Sequence, residues 1–96
     1  MIIQHKLEGT HGAFFVEQEG NILAAMVYSS SNALKMIIEH TEVGEELRGQ
    51  NIGAQLVAAA VEHARRHHMK ILPLCPFAHA LLHKKPEYKD ILSEPK

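Results

Sequence analysis

The sequence has no tryptophan and one cysteine, and aromatic residues make up only 5% of its 96 positions. A lone cysteine cannot form an internal disulfide, which excludes a disulfide-stapled secreted scaffold and sets the expectation of a reducing, cytoplasmic setting. No apolar run approaches the roughly 18 residues of a membrane-spanning helix, so no membrane partner is expected. Net charge is only −1 and there is no basic block, which argues against nucleic acid as a partner. His5 and Lys6 interrupt the apolar start, so no signal-peptide pattern is expected either. What the chain does have is 46% hydrophobic and 22% charged residues. That balance belongs to a globular domain rather than a disordered segment. A single domain over 1–96, frayed from 92 to 96, is the expectation.

Hydrophobic alternation and turn chemistry divide the first half into four strands. The first covers 2–7, and Glu8 to Gly12 reads as a turn. A second strand starts at Phe14, and Glu19-Gly20-Asn21 is a hairpin signal. The third strand covers Ile22 to Tyr28, Ser29 to Asn32 reads as a turn, and the fourth strand covers Leu34 to Val43. Short connections in a row imply an antiparallel meander. A helix is expected from Ile52 to His68. Ile52, Leu56, Val57, Ala60, Val61 and Ala64 recur at spacings of three and four on one face. A short strand, Ile71 to Leu74, follows. A helix of that length between two strands fits a crossover, which makes this fifth strand parallel to the fourth. Pro73 has no N–H to donate, so pairing must lapse beside it. Pro76 to Lys85 reads as a second helix begun by a proline. Pro86 to Leu92 reads as a final turn. The fold class is therefore α/β of the α+β kind: a four-stranded antiparallel meander, a helix, a parallel fifth strand and a second helix.

The stretch Arg48-Gly49-Gln50-Asn51-Ile52-Gly53-Ala54 stands just before the long helix. Glycine and asparagine tolerate left-handed backbone angles, so such a loop can turn its N–H groups toward one point. The helix start adds unpaired N–H groups and the positive end of its dipole. Together they suit an anion, most naturally a phosphate. Arg48 either adds charge or points into water. The plainer reading is a helix-entry turn with no ligand.

This loop resembles the acyl-CoA-binding signature of the GNAT superfamily of N-acetyltransferases: Arg or Gln, two residues, Gly, one residue, then Gly or Ala. Asn51 stands at the first Gly position, the mildest replacement where φ is positive. His40-Thr41-Glu42-Val43, Cys75-Pro76-Phe77 and Pro86-Glu87-Tyr88-Lys89-Asp90 resemble, in the same order, a compact stand-alone GNAT-like family of about this length. The resemblance implies a reduced version of that fold. The connection between the first two strands is too short for the usual two helices, and nothing after residue 85 is long enough for the usual last two strands. It implies acetyl-CoA as acyl donor, with no metal, and an amine acceptor, small molecule or protein, that the sequence does not identify. It also implies that the pantetheine arm enters between strands four and five, beside Thr41 and Val43. The diphosphate then lies on Arg48, Gly49, Gln50, Asn51, Ile52, Gly53 and Ala54.

Cys75 follows the fifth strand, beside the implied place of the thioester. It reads either as a nucleophile favoured by the next helix start or as a small buried packing residue. His40 is a candidate base because imidazole titrates near neutrality, with Glu39 and Glu42 as competitors. Simple alternation puts His40 and Glu42 on one face and Glu39 on the other, unless a bulge intervenes. Tyr88 is read first as packing. His63 and His67, and His79 and His83, are four apart, as metal ligands on a helix can be. They lack a cysteine pair or carboxylate signature, so no metal is expected. The leading function is an acetyl-CoA-dependent N-acyltransferase acting directly or through Cys75, as a monomer or weak homodimer. The alternative is a CoA-binding module with little catalysis that acts with a partner.

Overall fold

The computed structural model describes residues 2–93, Ser31 by its backbone only. Strands β1 (Gln4–Glu8), β2 (His11–Gln18), β3 (Asn21–Asn32) and β4 (Lys35–Val43) form the meander. Helix α1 (Ile52–Arg66), strand β5 (Lys70–Pro73), helix α2 (Pro76–Lys84) and a 3-10 turn (Pro86–Ile91) follow. The sheet order is β1-β2-β3-β4-β5, antiparallel except for the parallel β4–β5 pair. The same six α1 residues that the spacing picks out are buried.

Turn boundaries differ from expectation. The first connection is only Gly9 and Thr10, with Glu8 already opposite His11. Gly9 has φ +63 and nothing within 4 Å of an added Cβ, so its glycine answers to backbone angle alone. The second connection is Glu19-Gly20, with φ 51 and 82. Two consecutive positive φ angles match the twist of a two-residue hairpin. The serines do not turn; β3 runs through them to Asn32, and the chain reverses at Ala33 and Leu34. There the Asn32 side chain accepts the Leu34 N–H at 2.8 Å, and the Ser30 hydroxyl donates to the carbonyls of Asn32 and Lys35. The Ser30 hydroxyl thus serves this ribbon's backbone instead of breaking it.

Helix α1 ends two residues before His68, which takes φ 59 while the Met69 N–H donates to the Ala64 carbonyl. A left-handed residue after the last turn satisfies carbonyls that the helix leaves open. Residue 92 is not frayed, contrary to expectation. Leu92 bridges Ile71, and the Ser93 N–H donates to the Ile71 carbonyl at 2.8 Å. Residues 94–96 lie outside the described residues. One continuous core joins the sheet to both helices, with Tyr28, Met26, Met36, Ile38, Leu56 and Ile71 fully buried. Across the described residues, no helix is long and apolar enough to cross a membrane.

Candidate active site

Two irregularities on β4 and β5 make the site. The β3–β4 register shifts between Val27, opposite His40, and Tyr28, opposite Ile38. Glu39 is therefore the extra residue of a β-bulge, and the bulge resets which side chains face the core. Up to Ile38, Met36 and Ile38 point inward. Beyond it Thr41 lies opposite Met26, and Val43 opposite Ala24, both core residues. The second irregularity is Pro73. The β4–β5 ladder ends at Ile38 opposite Pro73. The Ile38 carbonyl then accepts two N–H groups, from Leu74 at 2.9 Å and Cys75 at 3.2 Å. After that shared bond the two strands part, leaving β4 without a strand partner from Glu39 to Val43 on its β5 side.

Below the parting runs a groove of about 380 Å³ lined by Thr41, Val43, Leu47, Arg48, Gly49, Asn51, Ile52, Gly53, Ala54 and Phe77. Eight of the nine residues expected to hold the donor line it. Gln50 does not: its side chain turns back to the Glu46 carbonyl at 3.4 Å. Leu47, the buried floor, and Phe77, on α2, were not singled out for a role. Leu47 stands out only as an apolar residue after two glutamates, and Phe77 only as part of the quoted Cys75-Pro76-Phe77 motif. Asn51 has φ 62 and Gly49 φ 81, as the loop reading requires. The first described hydrogen bond of the helix ladder runs from the Gln55 N–H to the Asn51 carbonyl at 3.2 Å. The N–H groups of Ile52, Gly53 and Ala54 precede it and belong to the groove wall. Arg48 is exposed, with its guanidinium 4.0 Å from the Glu45 carboxylate.

Cys75 is buried at the inner end of the parting, 5% exposed. Its Sγ is 3.3 Å from the Thr41 hydroxyl. It occupies the position before Pro76, the first residue of α2, and makes no capping hydrogen bond as a thiol. Burial pushes the thiol's pKa up. The Thr41 hydroxyl and the amides of Ala78, Phe77 and Thr41 favour the thiolate by more, and the net shift is downward. His40 is not brought to this sulfur. Its register partner is Val27, on the sheet face opposite Thr41 and the helices, and its ring is exposed, 3.8 Å from the Glu42 carboxylate. Glu42 shares that outer face.

The histidines spaced four apart on each helix lie ring to ring. The His63 and His67 rings are 4.3 Å apart, and the His79 and His83 rings 4.2 Å. Among the described residues no group of three or more His, Cys, Asp or Glu is arranged to hold a metal ion.

Comparison with known proteins agrees with this geometry. The sequence model of the GCN5-related N-acetyl-transferase family matches residues 13–91. A GCN5-like protein from Staphylococcus aureus, solved by NMR, is 33% identical over 97% of this chain and 90% of its own, with a TM-score of 0.72. A ribosomal-protein-alanine N-acetyltransferase from Brucella melitensis is 16% identical, covers 93% of this chain and 66% of its own, and has a TM-score of 0.64. A GNAT family acetyltransferase from Elizabethkingia anophelis with acetyl-CoA bound is 18% identical over 91% of this chain and 66% of its own, with a TM-score of 0.59. The latter two likenesses are of fold. No curated protein matches the chain. With the family match over most of its length, and a relative one-third identical end to end, the chain belongs to the GCN5-related N-acetyltransferases, enzymes that take the acetyl group from acetyl-CoA.

Proposed function

We propose that this protein transfers an acetyl group from acetyl-CoA to a primary amine by way of Cys75, in a cytoplasmic setting. The single observation that carries the reading is the place of the sulfur. It lies where β4 and β5 part, 3.3 Å from Thr41, which itself lines the groove. A donor with its diphosphate on the N–H groups of residues 48–54 and its amide arm along Thr41 to Val43 ends its thioester there. The thiolate attacks the thioester carbonyl carbon, a carbon–sulfur bond to Cys75 forms, and CoA leaves as its thiolate. The amine then attacks acetyl-Cys75, the new carbon–sulfur bond breaks, and the amine proton passes to the departing Sγ. Products are the acetylamide, CoA and the regenerated thiol. This route needs no base from the far side of the sheet, so His40 has no part in it.

The test is single-turnover mixing with acetyl-CoA followed by mass spectrometry of the intact chain. A gain of one acetyl group on Cys75, discharged by added amine, is expected. Cys75→Ala should keep CoA binding and lose the adduct. An adduct-free wild type that still acetylates amines means direct attack by the amine. Binding without any transfer means a CoA-binding module that works with a partner.

A further inference from the structure

Phe77 is an unusual groove residue. It is apolar and 46% exposed, yet its ring is fixed against backbone. A Cβ built on Gly53 would fall 2.7 Å from Phe77 Cζ and 2.9 Å from Cε2. Real Cβ atoms are not found so close, so the ring lies directly on the Gly53 Cα. Gly53 has no positive φ among the glycines of this chain. Its lack of a side chain therefore answers to the ring and not to backbone strain. A residue from α2 thus reaches across to the first turn of α1 and forms a wall of the groove that Thr41 and Val43 also line.

The groove's lining changes character along its length. At the Arg48–Gly49 end it offers charge and backbone N–H groups. At the Thr41 end it offers an unpaired strand edge, with the buried Cys75 sulfur 3.3 Å behind the Thr41 hydroxyl. Between them stand Leu47, Val43 and the Phe77 ring, all apolar. CoA has the same order: diphosphate, then a branched gem-dimethyl carbon, then two amides, then sulfur. We infer that Phe77 is the residue that recognises the gem-dimethyl segment of the pantetheine arm, with Gly53 kept bare so that the ring can take that position. This rests on the donor reading above. Phe77 acts as a binding residue that distinguishes pantetheine-bearing donors from the nucleotide alone.

The experiment compares dissociation constants of the wild type, Phe77→Ala, Phe77→Leu, Gly53→Ala and the double variant Gly53→Ala/Phe77→Ala. The probes are CoA and its nucleotide end, phosphoadenosine diphosphate, measured by titration calorimetry. Phe77→Ala should weaken CoA about tenfold, in line with losing contact to a small branched alkyl group. It should leave the nucleotide constant within about twofold, and the melting temperature of the free protein close to wild type. Phe77→Leu, which keeps an apolar wall, should recover most of the loss. Gly53→Ala should weaken CoA by displacing the ring, and the double variant should bind as Phe77→Ala does, because the added methyl then meets nothing. Three results overturn the inference: unchanged CoA affinity in Phe77→Ala, an equal loss for the nucleotide, or independent effects in the double variant. A wild type that binds neither probe overturns the donor reading itself, which is a separate and recognisable outcome.

Discussion

Thr41 carries two duties in a few atoms. Its backbone belongs to the stretch of β4 that β5 leaves without a strand partner, and its hydroxyl is 3.3 Å from the only thiol. A hydroxyl that can donate to sulfur stabilises the thiolate, and a methyl in its place cannot. Thr41→Val is nearly isosteric, so the change isolates the hydroxyl. We expect Cys75 to alkylate several-fold more slowly near neutral pH in Thr41→Val, because its pKa rises toward that of a buried thiol. CoA affinity should change little, because on the proposed reading the donor meets the backbone of this residue. Iodoacetamide rates across pH, followed by mass spectrometry, give the shift directly. An unaltered profile would mean that the amides of Ala78 and Phe77 hold the thiolate without help from Thr41.

At the scale of elements, the bulge at Glu39 decides what faces the groove. A slip of one residue exchanges the two faces of a strand. Deleting Glu39 should remove the bulge and leave plain alternation from Ile38 to Val43, with His40 and Glu42 still outward and Thr41 and Val43 still facing Met26 and Ala24. No side chain changes face, so the deletion should cost only ~1 kcal/mol, which for a chain of this size lowers Tm by no more than ~8 °C. Glu39→Ala keeps the extra residue and should stay within ~0.5 kcal/mol of wild type. Circular dichroism melts of both variants check this, and a deletion variant that fails to fold would sink the account. This element also marks what the sequence can and cannot reveal. The helix face, the parallel crossover, the left-handed turn before the long helix and the lapse at Pro73 were legible, because each rests on local periodicity or on backbone chemistry of single residues. The bulge was not legible beyond its bare possibility. Met36, Ile38, His40 and Glu42 alternate without a break, and only the pairing with β3 reveals where phase is lost. For the same reason His40 looked nearer to Cys75 than it is. The serine run misled in the other direction, since its polarity suggests a turn while the Ser30 hydroxyl in fact bridges carbonyls of the ribbon.

Across the whole molecule, α1 ties both ends of the chain to the sheet. On one side Arg65 donates to the Asp90 carboxylate at 2.8 Å and to the Glu87 carbonyl at 2.5 Å, holding the last turn. On the other side His63 meets β1 and β2. Its ring is 4.7 Å from that of His5 and 5.8 Å from Phe14, and His5 Nε2 is 2.6 Å from the buried Tyr28 hydroxyl. The cluster holds His5, His63 and His67 together, with Arg66 nearby and no carboxylate among the groups that shift His63. Burial first, then His5, His67 and Arg66, lower the His63 pKa from 6.5 to about 4. Burial and His67 lower that of His5 as well. A histidine with a depressed folded pKa binds its proton more readily in the unfolded chain. Its share of stability is therefore complete above the unfolded value of about 6.5 and is lost as pH falls from there toward about 4. Taken in full, the His63 shift corresponds to ~3 kcal/mol; the ring is partly exposed, and screening by solvent leaves ~1–2 kcal/mol. Urea unfolding at about pH 7.5 and about pH 5 should show that loss in the wild type beyond what the carboxylates contribute. His63→Leu cannot take up a proton and keeps an apolar contact with Phe14. It should be comparable to wild type at the higher pH and more stable than wild type at the lower one. Equal slopes of stability against pH for the two proteins would show that the cluster accommodates its protons without strain, and that the junction of α1 with β1 is held by packing alone.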